Sequence, residues 1–217
     1  MEMGLKEKLM LLSINQENGN LRYWYNFYLL IFYASLVDLA KKNLVRIADG
    51  NWQVTEKETG DPVLDKVLKI LMPSNDKKAV WFSINKSTKA QKLLEQQVEW
   101  MVANRMIEAV KTSFLGIPTG YRFRIFKPEM LRPDLLNLER VLIYGRKPQP
   151  DTWKLIQCLG APGILKCHFR SSESKRRAHA RYKELRKMPP WGKTETSAVI
   201  INKLRNDVGN YSGFNID

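Results

Sequence analysis

Residues 23–37 read YWYNFYLLIFYASLV, a run of 15 residues without a charged side chain. A helix that crosses a bilayer needs about 20 predominantly apolar residues, so this run is too short for that role. Its four tyrosines and one asparagine also carry polar groups that a hydrocarbon interior disfavours. A helix that is apolar on nearly all sides belongs inside a protein core. The run therefore predicts a buried central helix, which we place from about Leu21 to Lys42.

The segments on either side of this run predict amphipathic helices and two β-hairpins. Leu5–Ile14 has helical spacing and ends at the turn-forming residues 15–20. Alternating side chains around Asp49-Gly50 predict a first hairpin over 45–54. A second hairpin is predicted over 114–126, with its first strand at 114–117, its turn at Pro118-Thr119-Gly120 and a return strand of alternating aromatic and arginine residues. The expected fold class is therefore mainly α, a compact helical bundle with surrounding amphipathic helices and two short β-hairpins.

The remaining helices begin and end at local signals. Asp61 is expected to cap a helix that starts at Pro62, because a carboxylate accepts from the free first-turn amides and proline has no amide to leave unpaired. The other predicted helices cover about 87–102, 134–144, 151–159, 172–187 and 194–205. No repeat or linker divides the sequence. We therefore expect a single domain over 1–217, with a flexible tail at 205–217.

The chain carries 36 Lys and Arg against 22 Asp and Glu, a formal net charge of +14 with a pI near 9.8. Such an excess predicts attraction to polyanions, which are nucleic acid or anionic lipid. The excess is greatest in residues 166–193, where ten cations accompany two acids. A helix over 172–187 would expose a basic face that includes Arg176 and Arg177. The residues expected on its inner face are Ala178, Tyr182 and Leu185.

Signatures of catalysis and of cofactor binding are missing from the sequence. It has no glycine-rich phosphate loop and no nucleophile elbow. The neighbouring Cys167 and His168 would point to opposite faces of an extended segment, which disfavours a nucleophile–base pair. Cys158 and Cys167 fit neither a disulfide framework nor a metal site and are expected to be small buried residues. We therefore expect a protein that is not an enzyme and that uses no cofactor or metal.

Several of these segments, taken in order, resemble the Golgi phosphoprotein 3 family. LKEKLMLL (5–12) followed by Asn18-Gly19 is similar to its opening helix and turn, and LVDLAKKNLVRI (36–47) to its next helix and short strand. TGDPVLDKVL (59–68) is similar to the family's Thr-Gly-Asp motif and the helix that follows it. The resemblance continues through the second hairpin and the basic helix. The sequence begins at the first predicted helix, so we expect no counterpart of the long N-terminal extension of eukaryotic members.

The resemblance implies a compact helical fold and a role at membranes. Eukaryotic members are peripheral membrane proteins that bind phosphatidylinositol 4-phosphate and link Golgi enzymes or a myosin to the membrane. Their lipid pocket uses a tryptophan just after the first turn and an arginine further along the same helix. Two arginines three residues apart on a later helix complete it.

Only part of that pocket has a counterpart in this sequence. The tryptophan corresponds to Trp24, five positions after the turn glycine. The arginine on the same helix corresponds to the Phe32–Tyr33 region, and the later pair to positions near Gln91 and Leu94. None of these four residues is charged, so the family's pocket arginines are not matched.

Lys89 and Lys92 have the separation of the family's later arginine pair but lie about two positions earlier, roughly half a helical turn away. They are the expected substitutes, together with arginines of the second hairpin and of the basic helix. The predicted lipid-binding residues are Trp24, Lys89, Lys92, Arg122, Arg124, Arg176 and Arg177.

The sequence thus predicts a peripheral membrane protein that binds anionic lipid headgroups, with phosphatidylinositol 4-phosphate as the ligand of its eukaryotic relatives, and that acts as a trafficking or membrane adaptor. Two alternatives stay open. One is a protein–protein adaptor that forms homo-oligomers through its hairpin, and the other is a basic nucleic-acid-binding protein, which the resemblance disfavours. The sequence identifies no client protein. The expected location is cytoplasmic and peripheral to a membrane, at the Golgi in a eukaryote.

Overall fold

The computed structural model describes residues 3–22, 27–48, 51–55, 58–72, 88–114, 117–188 and 196–211. This part of the chain contains eight α-helices and two small antiparallel sheets of two strands each. The predicted mainly α class with two hairpins is confirmed. The contacts divide the chain into two compact units, Met1–Phe126 and Lys127–Asp217, which we describe separately.

The first unit contains four helices and four strands within the described residues. In chain order these are α1 (Leu5–Ser13), α2 (Phe27–Lys41), β1 (Val45–Ala48), β2 (Asn51–Val54), α3 (Pro62–Leu71), α4 (Thr88–Ala103), β3 (Ile107–Phe114) and β4 (Ile117–Ile125). Strand β1 pairs with β2, and β3 pairs with β4. The turn predicted at Asp49-Gly50 and residue 87, the predicted start of a helix, lie outside the described residues.

Helix α2 is the core helix of this unit and contacts α1, α3 and α4. Twelve of its 15 residues are buried, which confirms the predicted central helix. The rings of Phe32 and Tyr33 meet edge to face with centroids 5.6 Å apart. The described part of the helix begins at Phe27, and Leu21, the predicted start, instead forms an antiparallel bridge with Ile14.

A buried ionic cluster joins α1 to α2 and α3. The Lys6 side chain is 1% exposed; its ammonium contacts the Glu7 carboxylate and lies 2.7 Å from Asp61 Oδ2. The Asp38 carboxylate on α2 accepts hydrogen bonds from the backbone N–H groups of Leu5 (2.8 Å) and Lys6 (3.2 Å). A residue of α2 therefore satisfies two of the free amides in the first turn of α1. The cluster gives buried charges the partners that burial requires.

Asp61, the acid of the Thr-Gly-Asp motif, serves two elements at once. Its Oδ1 accepts from the backbone N–H groups of Val63 (2.9 Å) and Leu64 (3.2 Å), and Pro62 opens the helix. This confirms the predicted cap of α3. Its other oxygen, Oδ2, pairs with Lys6 of α1, a contact that was not predicted.

The second unit consists mainly of helices in the described residues. In chain order its elements are a 3₁₀ turn (Pro128–Leu131), α5 (Arg132–Leu142), α6 (Pro150–Gly160), a second 3₁₀ turn (Ile164–His168), α7 (Ser172–Lys187) and α8 (Thr196–Tyr211). Helix α6 contacts α5, α7 and α8. Its last residue, Gly160, lies against the Tyr182 ring of α7, where any Cβ would overlap the ring. This glycine is therefore required by helix packing.

The structure corrects the predicted second hairpin. Its first strand is β3, which ends at Phe114, where the predicted first strand begins. Pro118, predicted to form the turn, lies in β4 beside a register shift between Thr112 and Ser113. Irregular pairing tolerates a residue without a backbone N–H, which explains the proline there.

The structure also corrects the end of the last helix. Helix α8 continues to Tyr211, past the predicted end at Arg205, because Leu204 and Val208 extend its buried face by one further turn. Residues 205–211, predicted to lie in the tail, are therefore helical. Cys158 is buried as predicted, but Cys167 is exposed.

Candidate functional site

The turn after α1 is fixed against the second hairpin. The backbone N–H of Phe123 in β4 donates to the carbonyl oxygen of Gly19 at 2.8 Å, and Asn20 forms an antiparallel bridge with Arg122. Gly19 has a φ of +72°, and a Cβ there would lie 2.6 Å from the Phe123 carbonyl oxygen and 2.7 Å from Arg122 Cγ. Both the left-handed backbone and the close approach require glycine at this position.

The turn itself is closed by its own hydrogen bonds. The Asn15 N–H donates to the Asn20 carbonyl (2.8 Å), and the Gly19 N–H donates to the Asn15 carbonyl (2.7 Å). The side-chain oxygens of Asn15 and Asn18 accept from the N–H groups of Glu17 and Asn20, both at 3.0 Å. Asparagine side chains commonly stabilise turns in this way. The turn is therefore a well-defined wall and not a loose loop.

An open cleft of about 490 Å³ lies between this turn and the hairpin. Its lining residues are Gln16, Glu17, Asn18, Gly19, Glu108, Val110, Arg122, Phe123 and Arg124. Two of the predicted site residues, Arg122 and Arg124, are therefore brought together here, and both side chains are exposed. They are two positions apart on β4, so they share one face of the hairpin.

The same face of the hairpin carries an acid. Glu108 of β3 lies directly opposite Arg124 in the register, and Val110 lies opposite Arg122. Glu17 adds a second exposed carboxylate from the turn. The described lining of the cleft thus contains two cations and two anions. Sequence reasoning found the arginines from their alternation but missed the acids, because their approach depends on the pairing of β3 with β4 and of the turn with β4.

The structure describes one of the other predicted side chains of the first unit, and it does not join this cleft. Lys92 is exposed on α4 and is not among the lining residues. Lys89 belongs to the same helix, but its side chain, like Trp24, lies outside the described residues. Of the positions that correspond to the family's pocket arginines, Phe32 is 0% exposed and Leu94 is 7% exposed. These two positions therefore hold core side chains.

Helix α7 of the second unit is basic on one side, as predicted. Ser171 caps it by accepting from the Ser174 N–H at 3.1 Å. Its predicted inner residues are all buried: Ala178, Tyr182 and Leu185. Successive residues turn by about 100°, so five exposed cations occupy an arc of about 120° that contains no acid. We call this arc the cationic stripe; its members are Lys175, Arg176, Lys183, Arg186 and Lys187.

Arg176 belongs to the cationic stripe, whereas Arg177 does not. Arg177 lies on the adjoining side of α7 and forms an ion pair with Glu173 at 2.5 Å. Arg181 likewise pairs with Glu184 at 2.7 Å and donates to the Gly145 carbonyl at 3.3 Å. Acids of α7 are therefore confined to one side of the helix and leave the stripe uncompensated.

His179 lies within the arc of the stripe. Partial burial lowers the pKa of its imidazole below the ordinary value, and the charges of Lys166 and Lys183 lower that pKa further. The imidazole is therefore neutral at pH 7. Its pKa reports the local positive potential, because cations disfavour its charged form.

The family model described as Golgi phosphoprotein 3 (GPP34) matches residues 5–202. The match covers most of the chain and includes every residue of the cleft and of the cationic stripe. The chain belongs to the Golgi phosphoprotein 3 family. Comparison with curated proteins gives no match. Within the described residues, none of the helices of this family member combines the length and apolar character needed to span a membrane.

Proposed function

We propose that this member of the Golgi phosphoprotein 3 family is a non-enzymatic peripheral membrane protein that binds anionic lipid headgroups and acts as a membrane or trafficking adaptor. One observation carries the proposal. The cationic stripe of α7 presents five exposed cations without an intervening acid, on a helix whose adjoining face is buried. A planar anionic surface can contact such a stripe along its whole length.

The magnitude of the attraction is sufficient for reversible binding. Each Lys or Arg near an anionic bilayer contributes about 1 kcal/mol, and the attraction falls off within a Debye length of about 8 Å at physiological salt. Five cations acting together therefore support membrane binding that weakens as salt is raised. Arg122 and Arg124 are assigned to a second contact. It differs from the stripe because Glu17 and Glu108 place negative charges in the same cleft.

We assign the attraction to headgroup charge in general and not to phosphatidylinositol 4-phosphate in particular. Two positions of the family's phosphoinositide pocket hold buried Phe32 and Leu94 in this chain. Neither side chain can pair with a phosphate. At equal surface charge, vesicles with phosphatidylglycerol and vesicles with phosphatidylinositol 4-phosphate should therefore bind the protein equally.

Vesicle sedimentation tests the proposal. The protein should pellet with phosphatidylcholine vesicles that contain 20 mol% phosphatidylglycerol, should remain in solution with pure phosphatidylcholine, and should be released by salt. Replacing all five stripe cations by glutamine should abolish pelleting. A control variant loses five exposed cations elsewhere: Lys42, Arg46, Lys69, Lys127 and Arg132. If the control variant loses as much binding as the stripe variant, the stripe is not the docking surface and the proposal fails.

The hairpin favours a second candidate, a protein–protein adaptor that forms homo-oligomers. Val110 of β3 is 57% exposed, and in the described residues β3 has β4 as its only strand neighbour. An exposed edge strand can pair with another chain. Light scattering of the native protein and of Val110→Asp tests this, since a monomeric native protein rules it out. Duplex DNA in place of vesicles tests the nucleic-acid alternative, which requires strong binding with a steep salt dependence.

A further inference from the structure

The cleft of the first unit has a charge pattern that a purely anionic ligand does not fit. It contains the exposed guanidinium groups of Arg122 and Arg124 and the exposed carboxylates of Glu17 and Glu108. Among the described residues, the structure shows no ion pair between these four side chains. Both signs of charge therefore remain available to a ligand that enters the cleft.

The two arginines and the two glutamates each favour a different chemical group of a ligand. Guanidinium groups bind phosphate oxygens through paired hydrogen bonds, which favours a phosphate group beside Arg122 and Arg124. Carboxylates accept hydrogen bonds from a primary ammonium, which has three donors. A ligand with several phosphates would be repelled by Glu17 and Glu108, and a simple amine would be repelled by the arginines. The pattern fits a zwitterion.

The lining also distinguishes between zwitterions. A quaternary ammonium such as choline has no N–H donors and is usually held by the faces of exposed aromatic rings. Phe123 is the aromatic residue that lines the cleft, and it is only 4% exposed. Among the described residues, the cleft therefore offers carboxylates for a primary ammonium and no open aromatic face for a trimethylated one.

We propose that this cleft binds a phosphate monoester or diester that carries a primary ammonium, in the form of the phosphoethanolamine headgroup of a membrane lipid. The lipid form rests on the proposed function, whereas recognition of the phosphoethanolamine group does not. The hydrogen-bonded turn from Asn15 to Asn20 supports this assignment, since it holds one wall in place before the ligand arrives.

A soluble headgroup tests the recognition itself. Titration of the protein with O-phosphoethanolamine, followed by backbone chemical shifts, should move the resonances of the turn and of β4. Inorganic phosphate and ethanolamine should each bind about tenfold more weakly, because each lacks one of the two charge-assisted contacts. Phosphocholine should also bind more weakly. Equal binding of inorganic phosphate, or no binding of O-phosphoethanolamine, would overturn the proposal.

Variants give an outcome that simple electrostatics does not predict. Glu17→Gln with Glu108→Gln makes the protein more positive, so generic attraction to anionic vesicles should rise, but O-phosphoethanolamine binding should fall about tenfold. The matched control neutralises two exposed acids of α4, Glu95 and Glu99, and should leave O-phosphoethanolamine binding unchanged. If both double variants bind O-phosphoethanolamine equally, the carboxylates do not contact the ammonium and the proposal fails.

Vesicles distinguish the lipid from the free compound. At constant phosphatidylglycerol, replacing phosphatidylcholine by phosphatidylethanolamine should strengthen binding of the native protein severalfold and should not strengthen binding of the Glu17→Gln, Glu108→Gln variant. No gain with phosphatidylethanolamine would overturn the lipid form, even if the free compound binds. Absence of any binding to phosphatidylglycerol would contradict the proposed function, while the soluble titration would still decide the cleft.

Discussion

Gly19 is the residue that joins the turn after α1 to β4. Its φ of +72° disfavours any side chain, and an added Cβ would lie only 2.6 Å from the Phe123 carbonyl oxygen. Gly19→Ala should therefore lower the free energy of unfolding by about 2–3 kcal/mol, the cost of a left-handed alanine plus the displacement of β4. Urea unfolding measures the loss.

Gly60 provides the matched control for this substitution. It has a φ of +77° but nothing within 4 Å of an added Cβ. Gly60→Ala should therefore lose only the backbone cost, about 1 kcal/mol. Equal losses in the two variants would show that contact between the turn and β4 contributes nothing.

Lys6 is a buried cation whose removal leaves acids without a partner. Lys6→Met leaves the carboxylates of Glu7 and Asp61 without the opposite charge that they contact, which typically costs about 3–5 kcal/mol. Lys69→Met, at an exposed position on α3, should change stability by less than about 0.5 kcal/mol. Adding Glu7→Gln to Lys6→Met should recover part of the loss. A Lys6→Met protein as stable as Lys69→Met would refute this role.

Asp38 makes the stability of the first unit depend on pH. Burial raises the pKa of its carboxyl to about 6, although the N–H groups of Leu5 and Lys6 oppose that rise. The folded protein thus takes up a proton near pH 6, whereas the unfolded chain does so near pH 4. This group therefore adds stability as the pH falls from 7 to 5.

The difference in unfolding free energy between the native protein and Asp38→Asn isolates this contribution. Because asparagine does not titrate, the native protein should gain about 1 kcal/mol relative to the variant between pH 7 and pH 5. Unfolding in urea at the two pH values measures it. A difference that is constant with pH, or that changes in the opposite direction, would contradict a raised pKa for Asp38.

At the scale of the elements, most helices could be predicted because their caps and apolar spacing are local features of the sequence. Asp61 and Pro62 mark the start of α3, and the inner face of α7 follows from its apolar spacing. Strand β3 was missed because IEAVKTSF, residues 107–114, mixes charged and small residues and forms a strand only through its pairing with β4. The cleft could not be predicted because it depends on a contact between residues far apart in the sequence, the pairing of Asn20 with Arg122.

Helix α7 carries a natural reporter of anion binding. The pKa of His179 is lowered first by burial and then by Lys166 and Lys183. Anionic headgroups beside the stripe would offset the repulsion from these lysines, so the pKa of His179 should rise on binding. Imidazole resonances followed over a pH series in bicelles containing phosphatidylglycerol measure the change, with phosphatidylcholine bicelles as the control. A pKa that is equal in both bicelles would argue against contact at the stripe.

At the scale of the whole molecule, composition predicted the net charge but not its distribution. Residues 127–217 contain 18 Lys and Arg against 9 Asp and Glu, whereas residues 1–126 contain 18 against 13. Within the second unit, ion pairs collect on one side of α7 and leave the other side uncompensated. Burial of Ala178, Tyr182 and Leu185 creates this sidedness, since it fixes which cations face solvent.

We propose that the cationic stripe is the side of α7 that meets the bilayer. Nitroxide labels at Lys183→Cys and at Glu184→Cys, each with Cys167→Ser, test it most directly, because these adjacent positions point about 100° apart on one helix. On addition of vesicles containing phosphatidylglycerol, the label at 183 should lose accessibility to a water-soluble relaxant, and the label at 184 should lose much less. Equal protection at both positions, or greater protection at 184, would contradict the account.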